Sequence, residues 1–293
     1  MLRLVINLDR SKERLKRISD SLMNFGLRFS RVQAVDGRLL SEAEIKQLVI
    51  PKWKRQLFFR ELTRTEVGCC LSHRKCWKML VESAEEWALV LEDDCIFLNG
   101  AASFLDNEKW ISETVKLCQL SHSGESGDQV LIDKNKHKIN NRFEVVRIIK
   151  PHHIGAVAYF IHRDVARLAL EATRQLEAPV DEVLFSLNYP IGRKYAGWMV
   201  NPYVVRPDFV IESTIGHRKE DGGYGSPFTA MQRWRKFRKL FKSTLNNRLH
   251  RNLACVIDKS SRGAKLERAF EELPLQLALI SPFIENFMGT SFR

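Results

Sequence analysis

Trp87-Ala88-Leu89-Val90-Leu91 is an unbroken apolar run that stops abruptly at three carboxylates, Glu92-Asp93-Asp94. A strand with one face in water alternates apolar and polar residues, so an unbroken run marks a strand covered on both faces. Covering both faces takes a layer on each side, which restricts the chain to a layered α/β architecture. The flanking sequence agrees. Leu2 to Leu8 is a second compact, mostly apolar run, and Ser11 then opens a stretch in which Leu15, Ile18, Leu22 and Phe25 recur at helical spacing until Gly26. A strand is expected over Phe29 to Val35, closed by the Asp36-Gly37 turn, so the opening reads β-α-β.

Two capping boxes follow, Ser41 with Glu44 and Thr63 with Glu66. The second opens a helix whose apolar face is Val67, Cys70, Leu71, Trp77, Leu80 and Val81 and which ends near Ser83. Further strands are predicted over Val115 to Leu120, Phe143 to Ile149 and Ile154 to Ile161, the last followed by a helix from Asp164 to about Arg174. His122 to Asn141 is polar, contains Gly124 and Gly127, and reads as a mobile excursion. Strands alternating with helices predict a mostly parallel central sheet flanked by helices.

The 293 residues, 44% apolar, suffice for one large core or one core plus a small appendage. The net charge of +12 is unevenly placed. Residues 231–293 hold 13 Lys/Arg against 5 Asp/Glu, or +8, which leaves 34 against 30, or +4, for residues 1–230. A nearly balanced body is not built around a phosphate backbone, so no nucleic acid is expected as a partner. The shift in charge divides the chain into a main domain, 1–230, and a basic amphipathic helical C-terminal region, 231–293. Met231 to Arg251 carries eight Lys/Arg and no acid, with Trp234, Phe237, Phe241, Leu245 and Leu249 at helical spacing. That is a basic amphipathic helix, suited either to an anionic membrane surface or to packing on the body with its charges in water. Leu273 to Phe287 is interrupted by Pro274 and Pro282 and cannot be a spanning helix. The apolar run in MLRLVINLDR is too short for a signal or a span, and the six cysteines form no CxxC pair and read as thiols. A cytoplasmic protein, peripheral on the inner face of the membrane, is the expectation.

Three adjacent carboxylates repel one another, and at the carboxyl end of a sheet strand the natural compensation is a divalent cation. Mg²⁺ and Mn²⁺ take oxygen ligands and keep positions open for water and phosphate. A solvated acidic turn is the plainer reading of the triplet taken alone.

The neighbouring blocks carry a pattern. Val5-Ile6-Asn7-Leu8-Asp9-Arg10 with Arg14, Ala34 to Gly37, Leu62-Thr63 with Glu66 to His73 and Trp77, Leu89 to Asp94, Gly155 to Tyr159 with Arg163 to Leu168, and Pro179-Val180-Asp181 occur in this order. Together they resemble glycosyltransferase family 25, which contains bacterial lipooligosaccharide glycosyltransferases and the collagen galactosyltransferase domains. The resemblance covers about residues 2 to 215. It implies a GT-A type nucleotide-sugar-binding fold in a glycosyltransferase catalytic domain over 1–230, an inverting mechanism, and a UDP-sugar donor held through the acidic motif and Mn²⁺ or Mg²⁺. The hexose is galactose first and glucose second, and the acceptor a lipid-linked or surface glycan such as lipooligosaccharide or lipopolysaccharide.

Carried over residue by residue, Asp94 is the direct metal ligand with Asp93 beside it, and Glu92 faces the donor ribose or a metal-bound water. Glu92 stands where the usual DxD form begins with Asp. Arg10, Arg14 and Arg74 are candidates for the donor phosphates or are solvated helix charges. His73 either contacts donor or substrate or is a satisfied structural residue. Asp9 sits near the nucleotide or caps the helix beside Ser11, and Asp36-Gly37 is a turn that the family pattern places at the donor site. His217 is a candidate late metal ligand.

Inverting transfer needs a carboxylate outside the metal cluster to take the proton of the attacking hydroxyl. Asp181 meets that condition, with Glu182 and Glu212 in reserve, and its other reading is the cap of a helix from Glu182 to Leu187. Three other readings compete: a binding protein that kept the fold without turnover, another metal-dependent nucleotide-diphosphate transferase, and nucleic-acid binding through the basic tail. The second should carry GxGxxG or GxxxxGK[ST], and neither occurs.

Overall fold

The structure is a computed structural model and describes residues 1–55, 57–58, 60–121, 130–150, 155–195, 197–208 and 253–256. In chain order the elements are β1 (Leu2–Asn7), α1 (Lys12–Asn24), β2 (Ser30–Gln33), α2 (Glu42–Leu48), α3 (Arg64–Glu82), β3 (Trp87–Glu92) and β4 (Cys95–Phe97). There follow α4 (Ala102–Leu105), β5 (Leu117–Gln119), β6 (Val130–Lys138), β7 (Glu144–Lys150), β8 (Ala158–His162) and α5 (Arg163–Ala172). The last are α6 (Val180–Phe185), α7 (Pro190–Tyr195), β9 (Trp198–Asn201), β10 (Val205–Pro207) and β11 (Leu253–Val256), with 3-10 turns at Gly37–Leu39 and Lys52–Lys54.

One sheet runs β11-β6-β7-β9-β5-β8-β3-β1-β2, and β4 pairs separately with β10. Neighbours β2, β1 and β3 are parallel, as are β5 and β9. The other five pairings are antiparallel. Followed along the sheet, six strands (β1, β2, β3, β5, β6, β9) point one way and three (β7, β8, β11) the other. The sheet is therefore mostly parallel in strand direction and mixed in its pairings. The antiparallel β6–β7 pair has a simple cause: a connection as short as Ile139 to Phe143 cannot make a parallel crossover.

That hairpin corrects the reading of His122 to Asn141 as an excursion. Nine of those residues, Val130–Lys138, are β6. Ile132 is buried while Lys136 and Lys138 face water, and a strand with so much solvated surface is hard to tell from a loop. A second correction concerns the tail. Leu253–Val256 is a strand on the free edge of β6, not part of a helical region; an open edge accepts a strand by backbone hydrogen bonds whatever the side chains. The helix expected over Met231 to Arg251 and the stretch Leu273 to Phe287 lie outside the described residues.

Alternation along β3 divides its side chains between two cores. Ala88 and Val90 enter the core on the α3 side, with Val67, Trp77 and Leu80 of α3 and Val165 and Ala169 of α5. Leu89 and Leu91 enter the opposite core, with Ile18 and Leu22 of α1 and Phe104 and Leu105 of α4. Burial of each Leu or Val stabilises the fold by about 1.5–3 kcal/mol, so β3 is held from both sides. Both capping boxes form, Ser41–Glu44 and Thr63–Glu66, and α1 ends at Gly26 with φ of 70°.

Gly37 and Gly68 bring the turn after β2 against the first turns of α3. A Cβ on Gly68 would lie 2.5 Å from the Gly37 nitrogen and 2.6 Å from the Val35 oxygen, and one on Gly37 would collide with the Arg64 carbonyl. Backbone meets backbone here, and only glycine permits it.

Candidate active site

The parity that sorts β3 into two cores continues past its end. Glu92 has the parity of Ala88 and Val90 and turns to the α3 side, where its Oε1 lies 3.2 Å from His73 Nε2. Asp93 has the parity of Leu89 and Leu91 and turns to the α1 side. There Asn7 Nδ2 donates to its Oδ2 at 2.6 Å and Arg14 donates to its Oδ1 at 3.2 Å. Asn7 is the last residue of β1 and also donates to the Ser11 carbonyl, which ties the start of α1 to the acidic motif.

Asp94 completes the α1 side. Its Oδ2 lies 3.9 Å from Arg14, while its Oδ1 is buried and accepts no hydrogen bond from the described residues. Burial raises the Asp94 carboxyl well above the usual range; Glu92 and then Asp93 add to this, and Arg14 opposes it. Asp93 is raised as well, by burial first, against the bonds from Asn7 and Arg14. A buried carboxylate oxygen left without a partner, among like charges, is the chemistry a hard divalent cation satisfies. Asp94 and Asp93 therefore fit a metal site, with Arg14 as the neighbouring fixed cation.

Beside them lies a cavity of about 350 Å³, lined among others by Arg14, Arg17, Asp93, Asp94, Phe97 and Asp208. Asp208, buried and just past β10, bonds through its backbone N–H to the Asp94 carbonyl at 2.8 Å and through its side chain to Arg17 at 2.9 Å. The β4–β10 pair thus fixes the residue that follows the triplet.

The α3 side differs. His73 is fully buried, and its Nδ1 lies 2.8 Å from the Tyr159 hydroxyl, which in turn accepts from Trp77 Nε1 at 3.0 Å. Cys69, one turn before His73, brings its Sγ within 4.8 Å of the His73 and Glu92 ligand atoms. A mixed sulfur, nitrogen and oxygen set would suit zinc rather than Mg²⁺ or Mn²⁺. Burial and the Glu92 charge hold the Cys69 thiol protonated, however, and His73 Nε2 is engaged with Glu92.

The remaining residues separate into neighbours of this centre and others. Arg10 forms an ion pair with Asp36, which caps the 3-10 turn by accepting from Arg38 N at 3.2 Å and is held below the usual carboxylate range chiefly by the Arg38 side chain. Asp9 is exposed and bonded to Arg31 at 2.6 Å and to Gln33, which lower its carboxyl; it does not cap α1, whose N-cap Ser11 also makes no side-chain capping bond. Arg74 bonds to the Leu170 carbonyl at 2.7 Å and the Thr173 hydroxyl at 2.6 Å, an anchor between α3 and α5.

Asp181 and Glu182 lie in the first turn of α6, which begins at Val180 after Pro179 and ends at Phe185. The helix expected from Glu182 to Leu187 thus starts earlier, because Pro179 supplies its fixed φ at the N-cap and Asp181 is inside the helix rather than capping it. Val180, Val183, Leu184 and Phe185 of α6 pack in the core on the α3 side, which sets Asp181 on that side of the sheet with Glu92. Glu212 and His217 lie outside the described residues. Asn7, Tyr159, Trp77, Cys69 and Asp208 had no assigned role in the sequence; strand parity from Val5 to Asn7 and from Leu89 to Asp93 would have placed Asn7 opposite Asp93.

The model of glycosyltransferase family 25 (LPS biosynthesis protein) matches residues 1–184. Procollagen galactosyltransferase 2 of Homo sapiens is 38% identical over 96 residues, 32% of this chain and 15% of that one. A glycosyltransferase 25 family member of Aedes aegypti is 27% identical over 259 residues, 82% and 40%, and the probable inactive glycosyltransferase 25 family member 3 of Bos taurus is 30% identical over 191 residues, 61% and 30%. The matched segments span less than half the length of these relatives. A solved glycosyltransferase involved in the glycosylation of the major capsid of PBCV-1 is similar at 10% identity and a TM-score of 0.39 over 73% of this chain and 96% of that one, too slight a likeness to fix the fold. The family model spans well over half of the 293 residues, including the acidic strand end, the His73 helix and Asp181: the chain belongs to glycosyltransferase family 25.

Proposed function

We propose that this chain, in a GT-A type arrangement, transfers a hexose with inversion from a UDP-sugar to a lipooligosaccharide, lipopolysaccharide or similar surface glycan. Galactose is the first donor sugar and glucose the second, a choice supported by the procollagen galactosyltransferase relatives. The observation that carries the reading is the buried, unpartnered Asp94 Oδ1 beside Asp93 and Arg14.

Asp94 and Asp93 would hold Mn²⁺ or Mg²⁺, which when bound offsets the negative charge that develops on the departing diphosphate. Arg14 adds a fixed positive charge from the protein. Glu92, anchored by His73, faces the donor. Asp181 takes the proton of the acceptor hydroxyl as it attacks, and its place on α6, outside the acidic motif, leaves it free of the metal-binding role.

The test is a panel of UDP-sugars with Mn²⁺, read by UDP release, with an excess of EDTA as the control. UDP-galactose turnover abolished by EDTA is expected; turnover undiminished in EDTA would sink the metal assignment. Binding of a UDP-sugar without UDP release would instead support a protein that kept the fold without turnover. The acceptor would be met at the inner face of a membrane, to which the basic segment 231–251 is proposed to bind. Because β11 completes the sheet edge, that idea is tested by replacing Arg233, Arg235, Lys236 and Arg238 with Gln rather than by truncation. Unchanged binding to anionic vesicles would remove the membrane role.

A further inference from the structure

We infer that Tyr159 and Trp77 are positioning residues of the transfer site, acting through His73 to aim the Glu92 carboxylate. The inference rests on the proposed reading of Glu92 as a donor-facing group.

Hydrogen-bond bookkeeping leaves one consistent arrangement. An indole N–H can only donate, so the Tyr159 oxygen accepts from Trp77 at 3.0 Å. The phenol has a single proton, and the acceptor in reach of it is His73 Nδ1 at 2.8 Å. With Nδ1 accepting, the neutral ring carries its proton on Nε2, which faces Glu92 Oε1 at 3.2 Å. In either alternative, the Nδ1–H tautomer or the imidazolium, Nδ1–H would point at the Tyr159 oxygen. The phenol proton would then have no acceptor among the described residues, at a side chain with no exposed surface. Trp77, Tyr159 and His73 are all 0% exposed, so water cannot repair the mismatch.

Packing reinforces the chain of bonds. The His73 and Tyr159 rings stack with centroids 5.7 Å apart, and Phe185 of α6 meets Tyr159 edge-on at 5.7 Å. The Glu92 side chain is 20% exposed. One oxygen is thus anchored from inside the protein while the carboxylate still reaches solvent at the strand end. The same tautomer disfavours zinc at Cys69, His73 and Glu92, since a ligating Nε2 carries no proton and the second nitrogen must then donate.

Tyr159→Phe keeps the ring and deletes only the hydroxyl. In ¹⁵N-imidazole NMR the parent His73 should show the Nε2–H tautomer, and the Phe variant a mixture. The KM for the UDP-sugar should rise about tenfold with kcat changed less than about twofold, the split expected when a ground-state donor contact is misaligned. His73→Gln removes the ring nitrogen through which Tyr159 acts, so its KM should rise about as far as that of Tyr159→Phe, and adding Tyr159→Phe to it should cost nothing further. Equal penalties for Tyr159→Phe in both backgrounds would make Tyr159 a packing residue and overturn the inference. So would a parent Nδ1–H tautomer, an unchanged KM despite a shifted tautomer, or stoichiometric zinc lost in Cys69→Ser. If no UDP-sugar in the panel is bound or turned over, the transferase reading falls and the positioning role with it; the NMR, read on the protein alone, still decides the tautomer.

Discussion

The two faces of the sheet treat consecutive residues of one motif in opposite ways. On the α3 face Glu92 is met by His73, His73 by Tyr159 and Tyr159 by Trp77, every partner buried and every bond made within the protein. On the α1 face Asp93 and Asp94 share Arg14, and a buried Asp94 oxygen is left with nothing from the described residues. A finished network is set in advance of the ligand, whereas an incomplete one gains its last partner when the ligand arrives. That contrast divides the proposed labour: aiming and proton transfer on the α3 side, charge neutralisation on the α1 side.

The sharpest way to break the division is through the base. Asp181→Asn should lower kcat by about two to four orders of magnitude with donor affinity little changed, measured by steady-state kinetics with saturating metal. A variant that loses donor binding in step with turnover would move Asp181 to a structural role in the first turn of α6. Next comes the α1 side: Asp94→Asn should lower kcat/KM by about a hundred- to a thousandfold, the scale of losing one preorganised electrostatic group, and added Mn²⁺ should not restore it.

The third expectation concerns stability and has the opposite sign on the two faces. The folded-state Asp94 carboxyl is raised above its unfolded value, so its contribution to stability is full at low pH and is lost as pH rises through the folded value. Without metal at neutral pH, Asp94→Asn should therefore raise Tm, by about 2–4 °C for about 1 kcal/mol in a domain of this size, and the gain should vanish in acid. Glu92→Ala, which removes the acceptor that faces His73 Nε2 in the completed network, should lower it. Scanning calorimetry of both variants at acidic and neutral pH, in EDTA, would contradict the contrast if the two moved together. The smallest effect is expected at Arg74→Ala, which frees α5 from α3 and should leave the UDP-sugar KM within about twofold of the parent. A tenfold rise would return Arg74 to the donor phosphates.

Much of the frame was legible from local chemistry. The Thr63–Glu66 and Ser41–Glu44 boxes, the apolar run of β3 and the Gly26 stop are each decided by residues within one turn of one another. The polar β6 and the edge strand β11 were not: β6 is mostly polar, and β11 is an apolar run of four residues, too short to tell a strand from a helix, so pairing with a distant partner decided both. In the candidate site the triplet, Arg14 and His73 were visible as motif members. Tyr159 and Trp77 were motif members too, but nothing marked them as a bonded chain with His73, since Tyr159 lies 86 positions away and only the antiparallel return of β8 beside β3 brings it in. Arg74 stood open between a donor phosphate and a solvated helix charge, because an arginine on a helix carries no sign of which neighbour it will bond.

The pleat of β3 also gives the motif a parity. Its three acids are not interchangeable negative charges: Glu92 belongs to the histidine side and Asp93 to the arginine side by strand alternation, which lapses after Asp93 so that Asp94 joins the arginine side as well. Glu92 spans to His73 with a methylene that Asp would lack, so a Glu at the head of the motif is a matter of length rather than a loosened consensus. A scan that scores acidic letters would accept Glu92→Asp or an exchange of positions 92 and 93 as silent. A one-residue slip of β3 against β1 would do worse, turning the histidine's acid toward the arginine and the arginine's acid toward the histidine while leaving composition, charge and hydropathy unchanged.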